Sequence, residues 1–153
     1  MSFSGFTDDA VTTTVSNDGW WPDFTVGEFQ ELYRIPAEFT AELVADHLRL
    51  GMAWANRQLV AWRAEREAEG YGALKDVPSG KLGDTLLHAL YYRRAVFCHA
   101  KALLMSQFKT MMRRAEAANE AVESEETEEK FFQYAEQAVA DFLGRGRINV
   151  ELL

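Results

Sequence analysis

The residues from Asp84 to Glu116 constrain this chain more than any others. Leu87, Leu90, Tyr91, Val96, Phe97, Leu104, Met105, Phe108 and Met112 recur there by threes and fours or as adjacent pairs, with no glycine or proline between them. That repeat predicts one helix of about eight turns with a broad apolar stripe. Asp84 follows Gly83 and is placed to cap the helix by accepting from the free amides of its first turn. Arg93, Arg94, Lys101, Lys109, Arg113 and Arg114 make the same helix basic. A helix this long and this apolar is not stable alone in water, so the rest of the chain must cover it.

The first cover is a second long helix, opening at Pro36 or Thr40 and reaching about Glu69. Leu48, Met52, Ala55, Leu59, Trp62 and Arg66 alternate steps of four and three, a seam suited to an antiparallel partner. Gly51 lies in mid-helix, where it costs about 1 kcal/mol against alanine and permits a close helix approach. Gly70 stops this helix. The loop to Gly83 offers Tyr71, Leu74, Val77 and Pro78 to the end of the bundle. The third long helix is marked by Phe131, Phe132, Ala135, Ala138, Val139 and Phe142, with Ser124 as its N-cap and Gly144 at its end. Between the central run and this third one, crowded glutamates predict a break over Val122 to Thr127. Thr25 and Glu28 form a capping box for a short helix through Tyr33.

These readings give an all-α fold: an antiparallel bundle of three long helices, Thr40–Glu69, Asp84–Glu116 and about Ser124–Leu143, plus the short N-terminal helix. Leu48, Leu59, Trp62, Leu90, Phe97, Leu104 and Phe108 are expected among its most buried side chains. Residues 1–19 lack a helical period and read as a flexible or partner-ordered arm, residues 20–145 as the bundle, and residues 146–153 as an extended docking tail. In that tail Ile148, Val150 and Leu152 alternate with polar residues after Arg147, the one convincing strand pattern in the sequence. Such a strand needs a partner. Trp20 and Trp21 would be costly facing water, so they either lid the bundle or contact a neighbouring protein. The candidate partner-binding residues are therefore Arg147, Ile148, Val150, Leu152, Trp20 and Trp21.

Composition bounds the function. The chain has 153 residues and a net charge of −8, unevenly placed. Residues 1–50 hold nine acids against Arg34 and Arg49, residues 51–115 eleven bases against five acids, and residues 116–153 ten acids against three bases. A basic middle between acidic ends suits either neighbouring segments within one bundle or head-to-tail contacts between copies. There is no run of apolar residues long enough for a membrane helix, and Met1 to Asp9 lacks a secretory pattern. Cys98 is alone, so no internal disulfide is expected, and beside Phe97 it reads as a buried thiol.

No phosphate loop, nucleophile elbow or paired-cysteine pattern is present. His88 and His99 lie about 16 Å apart by helical rise, too far for one metal, and His47 has no second ligand on its helix. No catalytic residue, cofactor or metal is therefore assigned. The basic stripe from Arg93 to Arg114 is the one nucleic-acid candidate, but its interleaving with core positions and the overall acidity argue against a dedicated DNA reader.

Several strings, in order, carry a family resemblance: Trp21-Pro22-Asp23-Phe24; Gly51-Met52-Ala53 through Ala61-Trp62-Arg63; Gly70-Tyr71 with Leu74 and Asp76-Val77-Pro78; and Leu90-Tyr91-Tyr92-Arg93-Arg94-Ala95-Val96. Over about residues 20–102 the chain resembles the GPL-type head completion proteins of contractile-tailed bacteriophages. The resemblance implies a structural protein, not an enzyme, made in the host cytoplasm and built into the virion at the head–tail junction. It implies a homo-oligomeric ring, of twelve copies by the resemblance, docked on the portal protein after DNA packaging. It further implies a tail terminator or second connector as the other partner, and DNA passing through without sequence-specific binding. The competing readings are a helical regulatory or scaffolding protein and, last, a small bundle enzyme.

Overall fold

In the computed structural model, which describes residues 12–117 and 127–145, the chain is mostly helical, with two small antiparallel strand pairs. In order, the elements are β1 (Thr14–Val15), β2 (Phe24–Thr25), α1 (Val26–Tyr33), α2 (Ala41–Gln58), α3 (Val60–Ala68), β3 (Lys81–Leu82), β4 (Thr85–Leu86), α4 (Leu87–Gln107), α5 (Lys109–Ala117) and α6 (Glu128–Phe142). A single 3-10 turn, Leu74–Asp76, lies in the loop before β3.

The central helix α4 is the axis. Tyr92, Ala95, Val96, Phe97, Cys98, Ala100, Lys101, Ala102, Leu104 and Met105 are all buried, so the helix is covered nearly all round rather than along one stripe. Helices on two sides run antiparallel to it. On one side α2 and α3 place His47 beside Gln107, Trp54 on His99, Asn56 at Tyr92 and Trp62 at His88. On the other, α6 places Phe131 at Lys101, Tyr134 at Arg94 and Phe142 at His88. Helix α1 closes a third side with Phe29 and Tyr33 against Phe97.

Local chemistry sets several of the helix starts. Thr25 Oγ1 accepts from Glu28 N–H at the start of α1, and Thr40 Oγ1 accepts from Leu43 N–H at the start of α2. The seam of α2 and α3 is buried at Leu48, Met52, Ala55 and Leu59 and half-buried at Trp62. Gly51 serves the close approach expected of it: a Cβ there would lie 2.5 Å from the Val96 carbonyl oxygen of α4. Leu74 and Val77 are buried, so the loop after Gly70 does tuck under the bundle.

Several boundaries differ from the sequence expectation. Asp84 does not cap the central helix. Residues 81–86 form a hairpin instead, with Leu82 opposite Thr85 and Gly83 at φ 60 in its turn. Helix α4 then begins after Leu86, its first amides donating to Gly80 O and Ser79 Oγ in the loop before it. The single long helix is interrupted at Phe108, which leaves helical geometry at φ −123 and ψ 52. Phe108 packs there on Phe39, and Gln107 meets His47, so contacts with distant residues coincide with the interruption. Leu59, at φ −106 and ψ 12, likewise divides α2 from α3. Thr127, not Ser124, caps α6, accepting from Lys130 N–H; the expected break over Val122–Thr127 falls largely outside the described residues. Of the seven expected core side chains, Leu48, Leu59, Phe97 and Leu104 are fully buried, whereas Trp62, Leu90 and Phe108 are half-buried. Among the described residues strand pairing occurs at residues 14–15, 24–25, 81–82 and 85–86, none of which the sequence pattern had marked. The tail itself, residues 146–153, lies outside the described residues, as do residues 1–11 of the expected arm. Thr14 to Asp18 are part of the fold: Val15 pairs with Phe24 and is wholly buried.

Candidate interaction surfaces

Trp20 and Trp21 are 5% and 2% exposed, and the chain around them explains why. Asp18 accepts from both of their amides through one carboxylate oxygen and meets Arg63 with the other. Burial alone would raise the Asp18 pKa, but those three hydrogen-bond donors outweigh it and hold the carboxyl below its ordinary value. So fixed, Trp21 stacks on Tyr92 at 4.5 Å and Trp20 meets Trp21 edge-on. Trp20 Nε1 donates to Tyr71 O, and Leu74 N–H donates to Trp20 O, which ties the loop after α3 to the same plug. A polar triad locks the plug from beneath: Asn17 Nδ2 donates to Tyr92 Oη, Tyr92 Oη to Asn56 Oδ1, and Asn56 Nδ2 to Asn17 Oδ1. The two indoles are thus a lid of their own bundle, and their rings are not offered to a neighbour. Arg147, Ile148, Val150 and Leu152 lie outside the described residues.

The histidines are structural. His47 bridges Leu43 O and Gln107 Oε1. His88 sits between Trp62 and Phe142, and His99 stacks on Trp54 at 4.4 Å with the rings 8° from parallel. No group of three or more metal-ligating side chains exists among the described residues. Burial, and then the nearby Arg57 charge, pushes the His99 pKa down to about 4. His99 is thus neutral in the folded chain, while the unfolded chain takes up its proton near the ordinary value of 6.5. The His99 contribution to stability is therefore full above about pH 6.5 and is lost as pH falls toward 4. Unfolding measured from pH 7.5 to 4.5 should show a smaller acid loss in His99→Phe than in the unaltered chain. Equal losses would mean that other groups carry the pH dependence.

The basic stripe resolves into separate roles. Arg93 pairs with Glu28 at 3.1 Å, Lys109 with Glu128 at 3.8 Å, and Lys101 is buried with its ammonium 4.5 Å from the Phe131 ring. Around three of its members lies a groove of about 480 Å³ between α1, α4 and α6, lined by Leu32, Tyr33, Arg34, Leu90, Arg93, Arg94, Lys101, Phe131 and Tyr134. Arg34 reaches its rim from a left-handed conformation, φ 53, in which Ile35 N–H closes back on Gln30 O as a helix C-cap. That geometry is unfavourable for a non-glycine residue by about 1–2 kcal/mol. Four cations and no acid line the groove, in contrast with a chain whose net charge is −8. Sequence reading placed the bases of α4 but not Arg34, because no periodic signal links residue 34 to residues 93–101.

No helix among the described residues is long and apolar enough to cross a membrane. No solved structure matches the chain. Two phage proteins do. A "Probable head completion/stabilization protein" of Haemophilus phage HP1 (strain HP1c1) is 27% identical over 151 residues, covering 99% of each chain. The "Head completion/stabilization protein" of Escherichia phage P2 is 25% identical over 133 residues, 87% of this chain and 79% of the relative. The profile described as "Phage head completion protein (GPL)" matches residues 15–153, which begins at the wholly buried Val15 and spans every helix described above. On that extent of match, the chain belongs to the phage head completion protein (GPL) family, whose members are structural components of the virion rather than enzymes.

Proposed function

We propose that this protein is the head-to-tail adaptor of its phage. After DNA packaging it docks as a homo-oligomeric ring beneath the portal, keeps the filled head closed and presents the surface to which a tail terminator or second connector attaches. The observation that carries this reading is family membership across residues 15–153, in a chain whose aromatic side chains are largely consumed by its own core. A closed ring of identical subunits needs a heterologous interface, two different patches that meet side by side. The acidic ends and basic middle of the chain supply two such patches. DNA passes through the ring without base readout, since an acidic surface repels the duplex rather than gripping it.

The C-terminal tail supplies the portal contact in this reading. Gly144 takes a positive φ of 69 at the end of α6 and releases the chain from the helix. Beyond it, Ile148, Val150 and Leu152 share one side of an extended segment. Strand addition to an edge of the portal, or of an adjacent subunit, would satisfy its amides and carbonyls.

Mass measurement of the chain with purified portal rings tests the whole reading. The expected species is a portal ring carrying a stoichiometric ring of this protein, weakened by added salt if charge holds the subunits together. A monomer or dimer that ignores the portal would identify a regulatory or scaffolding protein instead. Salt-independent assembly would move the lateral contact to apolar residues such as Leu50 and Val60, which are 53% and 62% exposed. Deleting residues 146–153 should leave helical content and melting temperature nearly unchanged while abolishing portal docking. Full docking by the truncated chain would end the tail proposal without touching the ring.

A further inference from the structure

Two of the four cations that line the groove between α1, α4 and α6 have no counter-ion among the described residues. Arg93 meets Glu28 at 3.1 Å, whereas Arg34 and Arg94 are exposed and make no ion pair there. Arg34 is also the only non-glycine residue at positive φ among the described residues, at a helix end where glycine would sit without strain. Backbone strain kept at a position whose charge is unmet points to a use for that charge.

Size and chemistry narrow the ligand. A recess of about 480 Å³ is far larger than one inorganic anion and suits a ligand that brings several groups at once. Its lining includes Leu90 and Leu32, the latter 52% exposed, so part of that ligand is apolar. The aromatic rings are already engaged. The Lys101 ammonium stands 4.5 Å over Phe131, the Arg94 guanidinium 5.3 Å over Tyr134, and Tyr33 meets Phe97 edge-on at 5.4 Å. Rings that carry cations are poor platforms for stacked nucleic-acid bases. Carboxylates need no free ring: they approach the N–H edge of a guanidinium, which a ring beneath its face leaves open.

We propose that this groove binds a short acidic segment of another protein, with aspartate or glutamate carboxylates against Arg34 and Arg94 and a bulky apolar side chain over Leu32 and Leu90. Arginine clusters recognise acidic motifs in this way, and the low-dielectric walls of a recess concentrate its positive field. The net negative charge of the chain repels broad acidic surfaces, so a segment narrow enough to enter the recess is favoured over one that is not. The site lies within one copy of the chain and holds whether or not copies close into a ring.

The test titrates the full-length chain into a fluorescein-labelled peptide with aspartates on both sides of a phenylalanine. Anisotropy should show saturable binding that weakens with added salt. The methyl resonances of Leu32 and Leu90 should shift, while those of Leu50 and Val60 should not. The paired substitution Arg34→Glu with Arg94→Glu should weaken binding about tenfold or more at an unchanged melting temperature. Arg34→Gly keeps the left-handed cap and removes the charge, so it should weaken binding severalfold without lowering the melting temperature. The same peptide with asparagine for aspartate should not bind. Absence of saturable binding to the acidic peptide, or binding indifferent to these substitutions, would overturn the proposal. A single-stranded oligonucleotide that binds more tightly than the peptide through the same two arginines would assign the groove to nucleic acid. Self-association that is lost in the paired variant would assign it to a second copy of the chain. Either result also overturns it.

Discussion

Phe97→Ala is expected to lower the unfolding free energy by about 3–5 kcal/mol, the cost of a phenyl ring removed from a site that cannot collapse. Phe97 has no exposed surface and stands where three parts of the chain meet. Its ring lies 4.9 Å from Phe24 of β2, 5.0 Å from Phe29 and 5.4 Å from Tyr33 of α1, measured between centroids. Deleting it therefore removes contacts of β2 and α1 with the central helix as well as opening a cavity. Denaturant unfolding followed by far-ultraviolet circular dichroism reads the change directly. A midpoint and slope indistinguishable from those of the unaltered chain would remove Phe97 from the core.

Gly51 is the site of the second large effect, and there the sign is the informative part. In an ordinary helix, replacing glycine by alanine stabilises by about 1 kcal/mol. Here the new Cβ would stand 2.5 Å from the Val96 carbonyl oxygen and 3.2 Å from Val96 Cγ1. The carbonyl belongs to the α4 backbone and cannot rotate aside, so α2 and α4 must separate. Overpacking of this kind costs about 1–3 kcal/mol and occasionally more, enough to reverse the propensity gain. Gly51→Ala should thus destabilise, and Gly51→Val should do so by about 3 kcal/mol because its γ carbons extend the same clash. A stabilised Gly51→Ala would show that the two helices are not in close contact at this level.

Local pattern was sufficient for several features of this protein. The periods of the three apolar runs, the hydroxyl caps at Thr25 and Thr40, the stop at Gly70 and the small residue at Gly51 each depend on neighbours within a turn or two. The ordered strings from Trp21 to Val96 likewise pointed to the phage head completion family that the profile matches. What the tertiary structure decided lies between residues far apart in the chain. The Asn17–Tyr92 hydrogen bond joins positions 75 residues apart, and it turns a stretch with no helical period into an ordered wall of the core. Trp20 and Trp21 face inward because Asp18, Arg63 and Tyr92 meet around them, which no pair of adjacent tryptophans can announce. The central helix is interrupted at Phe108, without glycine or proline, where that ring meets Phe39, and Asp84 is taken into a hairpin because loop atoms of Ser79 and Gly80 receive the amides it would have capped. Arg34 joins Arg94 in one groove only after α1 has been folded against α4. Periodicity reports which residues of a helix want burial; which distant groups meet there is set by packing, and packing is a property of the whole chain.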